Sequence, residues 1–294
     1  MKKTYASYIA SLLLFGSNGV WASQISLSSY QIVLLRTLLA SLLLLAIFKL
    51  TKGTFSFLQN KRHFSYLIVS GLAMGASWMF LYEAYVELGV GIASLAYACG
   101  PVIIMALSPL LFKEKLKGVR VLGFITVAIG AFLISAQGLQ QGGSLWGYFC
   151  GGMSAVMYAV MIYFNKKAVS IQGLENATLQ LIFSFVIVAI FVGFKQGFAM
   201  QIASEDWLPI LVLSLLNSGI GCYLYFSSIG KLSGQTVAIV GYLEPLSSVI
   251  FSVALLNEPL LPIQVLGAIL ILGGALASEL FGSRAGPIIK QEQN

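Results

Sequence analysis

The chain has 294 residues, of which 58% are hydrophobic and 9% charged, and its net charge is +7. Soluble domains carry about 25% charged residues, so a bilayer is the expected solvent. Ten spans of roughly 20 apolar residues each, joined by short connections, use up the length and leave no segment for a soluble catalytic or nucleic-acid-binding domain.

The first predicted span covers 6–25. Lys2, Lys3 and the run ending at Val20-Trp21-Ala22 imitate a secretory signal peptide. The run is long enough to cross a membrane and Asn18 interrupts its end, so a span is the better reading. The next two are 30–50 and 64–86. Arg36 lies about two turns from the outer end of the second and Glu83 about one turn from the outer end of the third, so an ion pair at an outer gate or scaffold is expected. The bland alternative is that Arg36 snorkels outward alone. Trp78 and Tyr82, four residues apart, share a face of the third span.

The remaining spans are predicted at 90–112, 119–137, 145–165, 176–195, 207–229, 234–256 and 263–281, separated by polar or glycine-containing breaks. Tyr97 precedes Pro101 by one turn on the fourth span. Tyr158 lies on the sixth, Asn217, Tyr223 and Tyr225 on the eighth, and Tyr242, Glu244 and Pro245 on the ninth. Pro101 and Pro245 lack a backbone donor and should kink their helices. The tyrosines and Trp78 could cage a cation or stack on a flat solute, or simply pack helices and line the interfaces. Asn18 and Asn217 carry amides that need partners in hydrocarbon, and both are expected to line a cavity and contact the solute.

Glu244 falls near mid-bilayer at roughly 1.5 Å per residue. An ionised carboxylate there costs at least a few kcal/mol unless it meets water, a cation or a partner. It is either a cation- or proton-binding acid in a solute cavity, or a protonated carboxyl serving a backbone carbonyl freed by Pro245. Cys99, Cys150 and Cys222 fall in three apolar segments without CxxC spacing, and His63, the single histidine, sits in a basic loop. No metal, redox centre or cofactor is expected. No HExxH, GxSxG or GxxxxGK[ST] motif is present, which argues against an enzyme and against ATP drive.

With the N-terminus inside, the inner segments collect nearly every lysine and arginine, while the outer segments hold Lys195 alone. That asymmetry predicts ten spans in a cell membrane with both termini cytoplasmic. It also explains the basic charge through anionic lipid headgroups rather than nucleic acid.

A shift of 144 residues superposes the chain on itself without gaps. Pro101 meets Pro245, Ser108 meets Ser252, Glu114 meets Glu258, Gly123 meets Gly267 and Gly130 meets Gly274. Leu88, Leu111, Leu116, Val121, Leu122, Ile125 and Ala131 also meet identical residues. Two five-span units follow, at 1–138 and 139–282, with a cytoplasmic tail at 283–294. Five is odd, so the second unit is inverted, the usual architecture of a secondary transporter. Gly100 is the repeat counterpart of Glu244, so the acid is not part of the shared scaffold. Glu114 and Glu258 end helices on opposite membrane sides, which points to a shared structural role at the loops. The glycines at seven-residue spacing on the fifth and tenth spans form a close-packing stripe that could serve as a homodimer seam.

On these residues the chain resembles the EamA repeats of the drug/metabolite transporter superfamily. The resemblance is clearest from Pro101 through Glu114 to Gly130 and from Pro245 through Glu258 to Gly274, with weaker matches at Gly16, Arg36 and Tyr158-Ala159. Lys113 stands where the family often has a small residue. The resemblance implies an all-α ten-helix bundle around a central cavity, alternating access, and export of amino acids, amines or related metabolites. A small-molecule solute and the lipid bilayer are then the expected partners. Proton antiport through Glu244 is the expected coupling, with an uncoupled facilitator or channel as the alternative.

Overall fold

The computed structural model describes residues 2–103, 118–140, 143–229, 231–232 and 240–282. All regular structure among them is helical. The helices are α1 Lys2–Gly16, α2 Asn18–Ala22, α3 Ser29–Leu50, α4 Lys61–Leu88, α5 Val90–Tyr97, α6 Gly118–Gln140, α7 Leu145–Lys167, α8 Gly173–Lys195, α9 Trp207–Leu211, α10 Gly221–Ile229, α11 Leu243–Leu255 and α12 Pro262–Gly282. A π-helix, Val212–Ile220, joins α9 to α10. Five segments are long and apolar enough to cross a membrane on those grounds alone: α3, α4, α7, α8 and the composite Ser204–Ile229.

Four predicted spans are not continuous α-helices among the described residues. The first breaks at Ser17, where α1 gives way to α2. The eighth widens into the π-helix, in which the Ser218 hydroxyl donates to the Leu213 carbonyl five residues back at 2.7 Å. The fourth and ninth are interrupted at equivalent places. Ala98 and Cys99 form a turn just before Pro101, and Tyr242 forms one three residues before Pro245.

Packing follows the repeat. The third span lies on the sixth and seventh, and the eighth lies on the first and second. The first touches the ninth, and the sixth touches the fourth. The second, fourth and fifth each pack on their own counterparts, the seventh, ninth and tenth. Exchanging every span for the one five places along leaves this pattern unchanged. That is the contact signature of an internal two-fold, and with five spans per half the axis lies in the membrane plane. The protein is a polytopic membrane protein of two intertwined inverted halves.

Small and hydroxyl side chains hold the seams, as expected where lipid supplies no hydrophobic drive between helices. Ser70 donates to the Met161 carbonyl and Ser77 to that of Ser154, both at 2.8 Å, tying α4 to α7. Ser184 donates to the Gly71 carbonyl at 2.8 Å, tying α8 to α4. Between α6 and α12, a β-carbon on Gly130 would lie 2.7 Å from the Gly267 carbonyl oxygen, and one on Gly267 would lie 2.9 Å from that of Gly130. Gly274 meets Thr126 and the Gly123 carbonyl in the same seam. The glycine stripe expected as a dimer seam is therefore buried inside the chain.

Carboxylates secure the helix ends. Glu258 accepts from the backbone N–H of Val90 at 2.8 Å and Gly91 at 2.9 Å, capping α5 from the opposite repeat. Glu175 accepts from the N–H of Ser56 and Phe57, and Asp206 from the N–H of Ser26. Glu114 and Lys113 lie outside the described residues, as does the tail.

Candidate functional site

Arg36 projects from α3 into the protein and is fully buried. Its guanidinium carbon lies 4.1 Å from the Trp78 ring centroid and 4.9 Å from that of Tyr82. The pair expected to cage a solute cation encloses the protein's own cation. Nε donates to the Ser218 hydroxyl at 2.8 Å, and Nη1 donates to the Tyr82 hydroxyl. The π-helix supplies that partner, since its wider turn carries Ser218 to the α3 side. Nη2 is buried without a hydrogen-bond acceptor among the described residues.

The expected Arg36–Glu83 ion pair is not formed. Glu83 accepts from the Ser29 hydroxyl at 2.5 Å and from the Trp146 indole at 3.2 Å. Tyr82 and Glu83 are successive residues on a helix, so their side chains diverge by about 100°. With Tyr82 facing Arg36, Glu83 turns toward α7. Similar depth in the membrane, on which the sequence argument rested, says nothing about azimuth.

Glu244 occupies the first turn of α11 and is half-buried. No described residue donates a hydrogen bond to its carboxylate. The α1 helix approaches this turn closely, because a side chain on Gly16 would collide with the Ser247 hydroxyl and meet the Glu244 carbonyl oxygen at 3.0 Å. Tyr8, Tyr158 and Tyr225 lie within Coulombic reach of Glu244. Their rings form a connected group: Tyr8 and Tyr225 have centroids 5.7 Å apart, Tyr158 and Tyr225 have hydroxyls 3.4 Å apart, and Tyr97 meets Tyr158 edge-on at 5.0 Å. Gly100 permits this approach, since a β-carbon there would lie 2.6 Å from the Tyr158 ring. Residues of both repeats thus contribute to one connected group of rings within electrostatic reach of the acid, and polar-tipped rings can hold a cation or a flat solute.

Other expected site residues fall elsewhere. Tyr223 is 41% exposed and shares a stripe with Leu216 and Ile220, which makes it lipid-facing. Tyr225, two residues on, is the inward tyrosine of that helix. Tyr242 is buried in a separate apolar cluster with Leu95, Val102 and Ile271. Asn217 Nδ2 donates toward Asn18 Oδ1 at 3.0 Å, the Ser17 hydroxyl at 3.0 Å and the Leu14 carbonyl at 2.8 Å, while Asn217 Oδ1 is buried without a partner among the described residues. This brace ties the break in the first span to the π-helix. Pro101 and Pro245 stand beside the interruptions of their spans and carry no polar side-chain group.

Three contributors escaped the sequence reading. Tyr8 sits in the segment that imitates a signal peptide. Ser218 is brought in by the π-helix. Tyr85 continues the face of Trp78 and Tyr82 at i+7, a spacing that would have exposed it; its ring centroid lies 5.2 Å from that of Tyr82.

Comparison with known proteins agrees with this architecture. The model of the EamA-like transporter family matches residues 2–136 and again 145–279. The chain is 24% identical over 274 residues to an uncharacterized transporter, YxxF, of Bacillus subtilis (strain 168), covering 90% of this chain and 86% of the relative. It is 26% identical over 223 residues to a protein of Escherichia coli (strain K12) named "Probable amino-acid metabolite efflux pump", covering 71% and 74% of the two chains. A solved crystal structure superposes with a TM-score of 0.67 at 18% identity, covering 97% of this chain and 99% of the other, a likeness of fold.

Proposed function

Because the chain belongs to the EamA-like transporter family, we propose that it is a secondary transporter that moves a small organic metabolite by alternating access, in the direction of export. It is a membrane transporter rather than an enzyme; the coupling and direction are the proposal. The observation that carries it is the half-buried Glu244 carboxylate, within electrostatic reach of tyrosines of both repeats and holding no hydrogen bond from a described residue. A group so placed can exchange a proton for a cationic part of the solute as the halves rock. The charged and titratable groups within electrostatic reach of it are Arg36 from α3, Tyr8 from α1, Tyr85 from α4, Tyr97 beside the α5 break, Tyr158 from α7, and Tyr225 and Cys222 from α10. The two repeats take the bounds 1–138 and 139–282, and both termini lie in the cytoplasm, on the asymmetry of the basic residues.

Proteoliposomes preloaded with a bacterial metabolite extract test this reading. Wild-type protein should release specific solutes faster when the outer pH is lowered, and Glu244→Gln should abolish the pH dependence while remaining folded. If Glu244→Gln transports with the wild-type pH response, the proton coupling is wrong. If neither form releases any solute beyond protein-free vesicles, the transporter reading fails.

A further inference from the structure

Away from the central site, the start of α4 and the end of α7 bring two cations to one ring. Arg62 Nε donates to the Tyr66 hydroxyl at 2.7 Å, and its guanidinium carbon lies 5.7 Å from the Tyr66 centroid. Lys167 Nζ lies 5.7 Å from that same centroid and 4.5 Å from the centroid of Tyr163. Arg62 belongs to the first repeat and Lys167 to the second. The α4–α7 seam sets their approach: Ser70, one turn beyond Tyr66, donates to the Met161 carbonyl at 2.8 Å. Phe164 completes the cluster, its centroid 6.0 Å from that of Tyr66 and 5.0 Å from that of Tyr163. Like charges gathered in this way repel, yet neither Arg62 nor Lys167 forms an ion pair with a carboxylate among the described residues. Arg62 is exposed, and Lys167, Tyr66 and Tyr163 are half-buried. Val69, about one turn further along α4, is 38% exposed.

We infer that this cluster is a binding site for an anionic phospholipid, with the headgroup phosphate on Arg62 and Lys167 and an acyl chain passing over Val69. A guanidinium whose Nε is engaged by a hydroxyl still presents its two Nη groups as a fork, the geometry that matches phosphate oxygens. Lys167 lays its stem on two rings and keeps a charged head for the same group. Tyrosines at the ends of spans sit at headgroup depth, with one edge wet and the other apolar. The exposed Val69 continues that surface into the hydrocarbon. A zwitterionic headgroup would bring its own cation to a site that already has two. A soluble phosphate would meet the charges but none of the apolar surface. The membrane face concerned is the one predicted to carry nearly every basic residue, where basic pockets between helices recognise anionic lipid. Because the two cations come from different repeats, the bound headgroup joins the halves across the third and sixth spans, and it does so independently of Glu244.

The test is the thermal midpoint of delipidated protein in a neutral detergent, titrated with phosphatidylglycerol, phosphatidylcholine or inorganic phosphate. Phosphatidylglycerol should raise the wild-type midpoint saturably, at a concentration at least about tenfold below that needed of phosphatidylcholine. Inorganic phosphate over the same range should leave the midpoint unchanged. Arg62→Gln combined with Lys167→Gln should raise the half-saturating phosphatidylglycerol concentration about tenfold or more. Lys2→Gln combined with Lys3→Gln removes the same charge from the same predicted membrane face and should titrate as wild type, which separates a site from the diffuse attraction of a basic surface. Should the first double variant not be recovered folded, Arg62→Gln alone, at an exposed position, should weaken the lipid response in the same direction. Equal weakening in the two double variants, or a wild-type response that does not prefer phosphatidylglycerol, overturns the site. A shift produced equally by inorganic phosphate overturns the lipid assignment in favour of a free anion.

Discussion

Arg36 is held by aromatic faces and hydroxyls rather than by a counter-ion. Arg36→Lys keeps the charge but replaces a planar fork of donors with a compact ammonium, which cannot serve Ser218 and Tyr82 from the same geometry. One buried hydroxyl left unpaired costs about 1–3 kcal/mol. The expected outcome is a thermal midpoint lowered by several degrees in detergent, and an unchanged midpoint would mean that the hydrogen bonds contribute little. On α10 the contrast is between neighbours. Tyr225→Ala should reduce transport by about tenfold or more, whereas Tyr223→Ala should leave it nearly intact, because Tyr223 shares the lipid-facing stripe of Leu216 and Ile220. Equal losses in the two variants would place both residues in the pocket. Glu244 and the caging potential of Trp78 and Tyr82 were legible from residue type and depth alone. The choice of Tyr225 over Tyr223, and the separation of Glu83 from Arg36, needed azimuth, which depends on the neighbouring helices.

Among the elements, α5 shows how one repeat secures the other. Glu258 bonds both leading N–H groups of α5, where a carboxylate also opposes the positive end of the helix dipole. Gly89, at φ +82°, sets the turn and leaves room for that carboxylate, 3.0 Å from where its β-carbon would be. Glu258→Gln retains one acceptor and loses the charge, so a destabilisation of about 1 kcal/mol is expected. Glu258→Ala should cost more, measured as a fall in thermal midpoint at constant lipid and pH. Equal midpoints for all three proteins would show the cap to be energetically idle. The spans were readable because each is an apolar run between polar breaks. The break at Ser17 and the π-helix at Val212–Ile220 were not, because their causes are tertiary. Asn217 reaches across to Leu14, Ser17 and Asn18, and Ser218 turns back to Leu213 and out to Arg36. No local propensity encodes those partners.

At the scale of the molecule, the 144-residue repeat and the exchange symmetry of the packing describe one object twice. The fourth and ninth spans are counterparts, meet each other directly, and carry the interruptions before Pro101 and Pro245. If the halves rock about the site, the ends of these spans joined by Glu258 must part in one state. A disulfide can hold them together. A β-carbon on Gly91 would lie 3.7 Å from the Ser252 β-carbon, within the roughly 3.5–4.5 Å that a disulfide requires. Gly91→Cys combined with Ser252→Cys should therefore cross-link under mild oxidation, in a background with Cys99, Cys150 and Cys222 replaced. The oxidised protein should bind solute from one side and fail to release it on the other, and reduction should restore transport. Full transport by the cross-linked protein would show that these ends stay together throughout the cycle, and the motion would then have to lie in other spans.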